Sequence, residues 1–127
     1  MPAWNTYKKD AQERGALALE LYVVHSEPGG AMDEVKQQLP LHLAYQAEQE
    51  QLGNLVMAGP LSDMSGESME GVGLIIYRAE SLAAAKLLAE HDPMHKSGAR
   101  TFTIRRWLVN EGSLSINVKL SAQSVSL

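Results

Sequence analysis

Cysteine is absent from this chain. Its absence removes disulfides, thiolate nucleophiles, cysteine-ligated zinc and iron–sulfur clusters from consideration, and it fits a reducing cytoplasm. No apolar run approaches the roughly 20 residues needed to span a bilayer. The opening Met1-Pro2-Ala3-Trp4-Asn5 lacks the charged n-region and long apolar h-region of a secretory signal, so the expected location is cytoplasmic. Excess positive charge is missing as well. The formal net charge is −4 with histidines neutral, which argues against a nucleic-acid partner and against binding to an anionic membrane. Gly71-Val72-Gly73 lacks the third glycine and helix start of a nucleotide fingerprint. Ser62 has no Gly-x-Ser-x-Gly elbow around it and is not expected to be a nucleophile.

What is present suits one folded domain. The 127 residues are 45% hydrophobic and 20% charged, the balance of a soluble chain long enough to bury a core. Residues 1–16 read as a polar extension holding a short exposed helix that ends near Gly15. Residues 17–110 form the expected domain, and residues 111–127 a tail. Leu17 to His25 alternates and favours a strand. Met32 to Leu52 reads as a long helix whose apolar stripe is Val35, Leu39, Leu43 and Ala47. Pro40 predicts a kink there or a fresh helical start. Leu55 to Pro60 is a second strand, and Ser62 to Gly71 a mobile polar loop. Val72 to Tyr77 is a third strand. Ser81 caps a second helix running to about Glu90, with Leu82, Ala85, Leu88 and Ala89 inward. His91 to Ala99 reads as a loop, Thr101 to Val109 as a fourth strand, and the alternating Leu114 to Leu120 as an extra one.

The order β-α-β-β-α-β predicts an α+β, ferredoxin-like domain: an antiparallel four-stranded sheet with two helices on one face. The other face then needs cover, and a second copy of the chain supplies it most simply.

Three segments place ionisable side chains beside proline or glycine at element edges: Leu39-Pro40-Leu41-His42-Leu43, Ala58-Gly59-Pro60-Leu61-Ser62-Asp63 and His91-Asp92-Pro93-Met94-His95. Such edges aim groups into pockets. His42 lies at the border of the helical stripe, and its ordinary pKa near 6.5 suits proton transfer at neutral pH. The competing reading is a boundary histidine held by a backbone carbonyl. Asp92, biased to an extended conformation by Pro93, can accept the His42 N–H and fix its tautomer; alternatively it bonds its own turn. Gly59 and Pro60 offer close backbone approach to a ligand, Ser62 a hydroxyl to orient it, and His95 a place on the pocket rim. Asp63 reads as a loop start. Arg105 shares one strand face with Trp107 and could hold a substrate carboxylate, or meet an acidic partner across a dimer. His91 and His95 have helical metal-ligand spacing, but Pro93 spoils it. No metal or other cofactor is expected; the competing reading gathers His25, His42, His91, His95 and Asp92 around zinc.

Taken together, the element order, Pro40-x-His42 opening a helix, Ala58-Gly59-Pro60 ending a strand and Asp92-Pro93 after the second helix resemble the YciI-like, or YCII-related, proteins, over about Leu19 to Leu108. The resemblance implies a dimeric α/β barrel, two ferredoxin-like sheets face to face, with a pocket holding His42 and Asp92. One characterised type in that family is a dehydrochlorinase of chlorinated hydroxyhydroquinone, and muconolactone isomerases share the wider fold. The expected function is a small cofactor-independent enzyme. A His42–Asp92 dyad moves a proton on a small anionic or phenolic molecule, in isomerisation or elimination. The alternative is a dimeric protein that binds a small molecule without chemistry.

Overall fold

A computed structural model describes residues 1–30 and 32–127. Its central sheet has the order β2-β3-β1-β4, formed by β1 (Leu19–Pro28), β2 (Leu55–Ser62), β3 (Met69–Tyr77) and β4 (Arg100–Val109). Both β1 and β2 run antiparallel to β3, with Val24 opposite Ile75 and Ala58 opposite the same Ile75. This is the ferredoxin-like order that the β-α-β-β-α-β pattern predicts.

Alternation along β1 sends Tyr22, Val24 and Ser26 to one face, where all three are buried. Val24, Ile75 and Tyr77 meet Ala89 in the core, joined by Leu55, Leu88, Phe102 and Ile104. The helix α3 (Leu82–His91) supplies Ala89 and Leu88. Its start is set by Ser81, whose Oγ accepts the Ala84 N–H at 3.1 Å. The long α2 (Met32–Gln51) lies over the same face, since Tyr45 donates to the Leu88 carbonyl at 2.7 Å. Acidic Asp33 and Glu34 occupy its first turn, where the helix dipole favours them.

Four local features differ from the sequence reading. First, α2 is one helix with Pro40 inside it, not a fresh start at the proline. Second, the stripe Val35, Leu39, Leu43 and Ala47 is not packed as a core: the first three border an open cavity and Ala47 is exposed. Leu39 and Leu43 are exposed, and the inward positions include His42, Tyr45 and Gln49. Polar residues can face in because each has a partner: His42 meets Asp92, Tyr45 the Leu88 carbonyl, and Gln49 accepts the Asn54 amide at 2.8 Å. Third, the stretch after Asp92 holds a short helix, α4 (Pro93–Lys96). The proline that argues against a helix interior is tolerated at the first helical position, where an N–H has no partner anyway. Fourth, β3 begins at Met69, which shortens the expected loop after Ser62. What remains of that loop is tied by Asp63 Oδ1, which accepts the Ser65 and Gly66 N–H groups at 3.0 and 3.1 Å.

The chain divides into two compact units, residues 20–107 and residues 1–19 with 108–127. Within the second unit, α1 (Trp4–Glu13) is followed by a hydrogen bond from the Leu17 N–H to the Asn110 carbonyl at 3.0 Å. The tail pairs with itself rather than extending the central sheet. There β5 (Asn117–Lys119) and β6 (Ser124–Ser126) form an antiparallel pair with Val118 opposite Val125. Among the described residues no helix is long and apolar enough to cross a membrane.

Candidate active site

Between α2 and the helix-covered face of the sheet lies a cavity of about 420 Å³. One wall is apolar, from Val35, Leu39 and Leu43 of α2 with Met69, Val72 and Ile75 of β3. The other carries His42, Ser26 and Arg100, with Ala58, Gly59 and Pro60 closing the β2 side. An apolar body with a few convergent polar groups is the usual make-up of a small-molecule site.

His42 Nδ1 lies 2.8 Å from both carboxylate oxygens of Asp92. The Asp92 side chain is 0% exposed and that of His42 17%. The carboxylate is held from its own side, because Asp92 is the N-cap of α4 and its Oδ1 accepts the Met94 N–H at 3.0 Å. A carboxylate taking two donors can only accept, so Nδ1 carries the hydrogen. That leaves His42 Nε2 as the basic nitrogen, and it has no protein partner among the described residues. Pro40 lies two residues before this histidine, within an unbroken helix. Tyr45 is one turn further along α2. Burial, and then the nearby Asp92 charge, push its hydroxyl up to about 12.

A second network adjoins the first. His95 Nδ1 meets the Ala89 carbonyl at 2.8 Å and must therefore donate to it. Its Nε2 then accepts, and Ser26 Oγ lies 2.8 Å from it. Ser26 Oγ in turn accepts the Arg100 Nε–H at 2.9 Å. Burial lowers the pKa of His95, which favours this neutral form, and burial also lowers that of Arg100. The His95 ring lies against Phe102 with centroids 4.7 Å apart.

Of the residues singled out from the sequence, His42 and Asp92 are in contact, and Gly59 and Pro60 line the same cavity. His95 reaches it through Ser26, which is part of the lining. Ser62 stands apart: it is exposed and donates to the Asp63 carbonyl at 2.9 Å. Arg105 borders a different hollow, with Val23, His25, Glu27, Leu74 and Thr103. Alternation explains the separation, because odd-numbered residues of β4 face away from Phe102 and Ile104. Ser26 and Arg100 were not picked out from the sequence. The available signal was Ser26 itself, a polar side chain in register with the inward Tyr22 and Val24. Among the described residues no three His, Asp or Glu side chains are grouped to hold a metal ion.

A four-stranded antiparallel sheet in this order, with a cavity under its helices, defines an α+β, ferredoxin-like domain. The chain belongs to the family of the YCII-related domain, whose model matches residues 19–108. Among solved structures it is similar to 5-chloro-2-hydroxyhydroquinone dehydrochlorinase (TftG) from Burkholderia phenoliruptrix AC1100, in complex with 2,5-dihydroxybenzoquinone. The TM-score is 0.54 at 22% identity, covering 68% of this chain and 92% of that one. No curated protein matches.

Proposed function

We propose that the protein is a small acid–base enzyme that needs no cofactor and moves a proton on a single-ring anionic or phenolic compound. The observation that carries this reading is the buried Asp92 carboxylate holding His42 Nδ1, so that Nε2 is a free base at the wall of an apolar cavity. Nε2 takes a proton from a carbon beside a carbonyl or hydroxyl. In an elimination the C–H electron pair becomes a C=C bond, and the leaving group departs with its own bonding pair. In an isomerisation the pair is held as an enolate until the imidazolium returns the proton to another carbon. Neither course changes the net oxidation state, so no redox partner is required. Asp92 stabilises the imidazolium in both, and positioned proton transfer of this kind contributes about 10²–10⁴-fold. Gly59 and Pro60 shape the β2 side, and His95 holds Ser26. The dehydrochlorinase bound to a dihydroxybenzoquinone supports a ring of that size.

Proton abstraction can be followed without knowing the product, by hydrogen–deuterium exchange at carbon in a panel of phenols, quinols and cyclic keto acids in D₂O. The wild type is expected to exchange at least one compound, with His42→Ala slower by 10²–10⁴-fold. A well-folded His42→Ala protein that exchanges at the full rate overturns the assignment. Binding of panel compounds with no exchange of any of them overturns it in favour of simple binding.

The protein is further proposed to act in the cytoplasm as a homodimer formed through the sheet face opposite the helices. That face carries Trp107, 43% exposed, and the hollow around His25, Leu74 and Arg105. Light scattering across a concentration series should give twice the 13.9 kDa chain mass; a constant monomer mass refutes the dimer.

A further inference from the structure

The dyad and the apolar wall leave Arg100 without a role in proton transfer. A guanidinium has five N–H donors. Nε serves Ser26 Oγ at 2.9 Å, and Nη2 serves the Ser26 carbonyl at 2.8 Å and the Gly71 carbonyl. The two hydrogens of Nη1 meet no protein acceptor among the described residues. Nor does any carboxylate there lie at ion-pair distance from Arg100, although the side chain lines the cavity.

Each anchor is itself fixed. Ser26 is 3% exposed and held by His95, which is tied to the Ala89 carbonyl. Gly71 has φ +82°, and a Cβ there would stand 2.9 Å from Pro28 Cγ. A glycine is thus needed for its carbonyl to sit where it does. The result is a cation clamped on three sides, with one donor pair unused. Asp92 and Glu27 favour the charge from beyond ion-pair distance while burial opposes it, and a ligand anion on the unused Nη1 donors would add a counter-charge in direct contact.

We infer that Arg100 is the specificity-determining end of the cavity, its Nη1 pair binding an anionic oxygen of a ring compound whose other end meets His42. A carboxylate or a ring phenolate satisfies the same donors. Arg100 can have this role only if the cavity takes a small molecule, as proposed above.

The test is a titration by calorimetry or NMR of benzoate against benzamide, and of ionised 4-nitrophenol against nitrobenzene. The proteins are wild type, Arg100→Gln and Arg100→Lys at fixed ionic strength. The wild type should prefer at least one anion to its neutral counterpart by tenfold or more, and which one identifies carboxylate or phenolate as the recognised group. Arg100→Gln should abolish that preference while leaving neutral affinity within about twofold. Arg100→Lys should keep part of it. Equal binding of anions and neutrals to the wild type, or a preference that survives in Arg100→Gln, overturns the role of Arg100 and leaves the cavity reading standing. No binding of any probe, charged or neutral, overturns both. Should Arg100→Gln fail to fold, the guanidinium ¹⁵N signals of the wild type decide. The Nη1 signal should move with a bound anion and not with its neutral counterpart, and an unmoved signal overturns the inference.

Discussion

Replacing Asp92 by asparagine exchanges one carboxylate oxygen for an NH₂ group and keeps the shape of the side chain. In the wild type both oxygens stand 2.8 Å from His42 Nδ1, and Oδ1 also accepts the Met94 N–H at 3.0 Å. The amide has one acceptor for these two donors. With its oxygen on Met94, its NH₂ faces His42 Nδ1, and the imidazole relieves the donor–donor clash by moving its hydrogen to Nε2. The nitrogen left for substrate is then the one that cannot take a proton. An aspartate-to-asparagine change at the corresponding place in a Ser-His-Asp triad costs about 10⁴ in turnover, so proton abstraction by Asp92→Asn is expected to fall by about 10²–10⁴. Stability should suffer less. Hydrogen bonds to charged groups contribute about 1.5–3 kcal/mol and neutral ones about 0.5–1.5, a difference of about 1–2 kcal/mol that leaves a domain of ordinary stability folded. Long-range ¹H–¹⁵N NMR of the His42 ring reads the tautomer directly, and carbon-bound exchange reads the activity. An unchanged tautomer together with exchange within tenfold of wild type would refute the account of the dyad.

Gly71→Ala places a Cβ 2.9 Å from Pro28 Cγ at φ +82°. It should lower stability by about 1–3 kcal/mol in urea unfolding and weaken ligand binding through the displaced carbonyl; a neutral change would show that the turn yields freely. Burial holds the His95 pKa below its ordinary 6.5. The unfolded ring therefore gains its proton at higher pH than the folded one. The stabilisation is complete above about pH 6.5 and is lost as pH falls from there through the lower folded value. Urea midpoints at pH 7.5 and pH 5 should drop more for wild type than for His95→Gln, and equal drops would refute that role.

The strand order was readable because β1 and β3 carry runs of the right type and length, and because Ser81 is a clear helix cap. The stripe of α2 was readable only in part, since Val35, Leu39 and Leu43 do border the cavity but the packed contacts are polar. Periodicity favours the leucines, whereas the orientation is decided by partners distant in sequence: Asp92 for His42 and the Leu88 carbonyl for Tyr45. Pro93 was misleading for a local reason, since the same residue that stops one helix can open the next. Of the two arginines, Arg105 looked suitable in isolation. Strand alternation directs it away from the helices, while Arg100, at the first residue of β4, borders the cavity. Ser26 carries only the weak signal of a polar residue in an apolar register.

Asp92 has two employments, as cap of α4 and as support of His42, and this bears on how such a domain can diversify. A substitution that retunes the base also loosens the turn that carries it, so the reaction type is hard to alter by single steps. Leu39, Leu43 and Met69 border the same cavity, but their side chains are exposed and carry no hydrogen-bonding or charged group. Drift at those three positions can reshape what enters without touching the proposed His42–Asp92 dyad. Homologues with different substrates are therefore expected to differ first along that rim, and last at the capped aspartate.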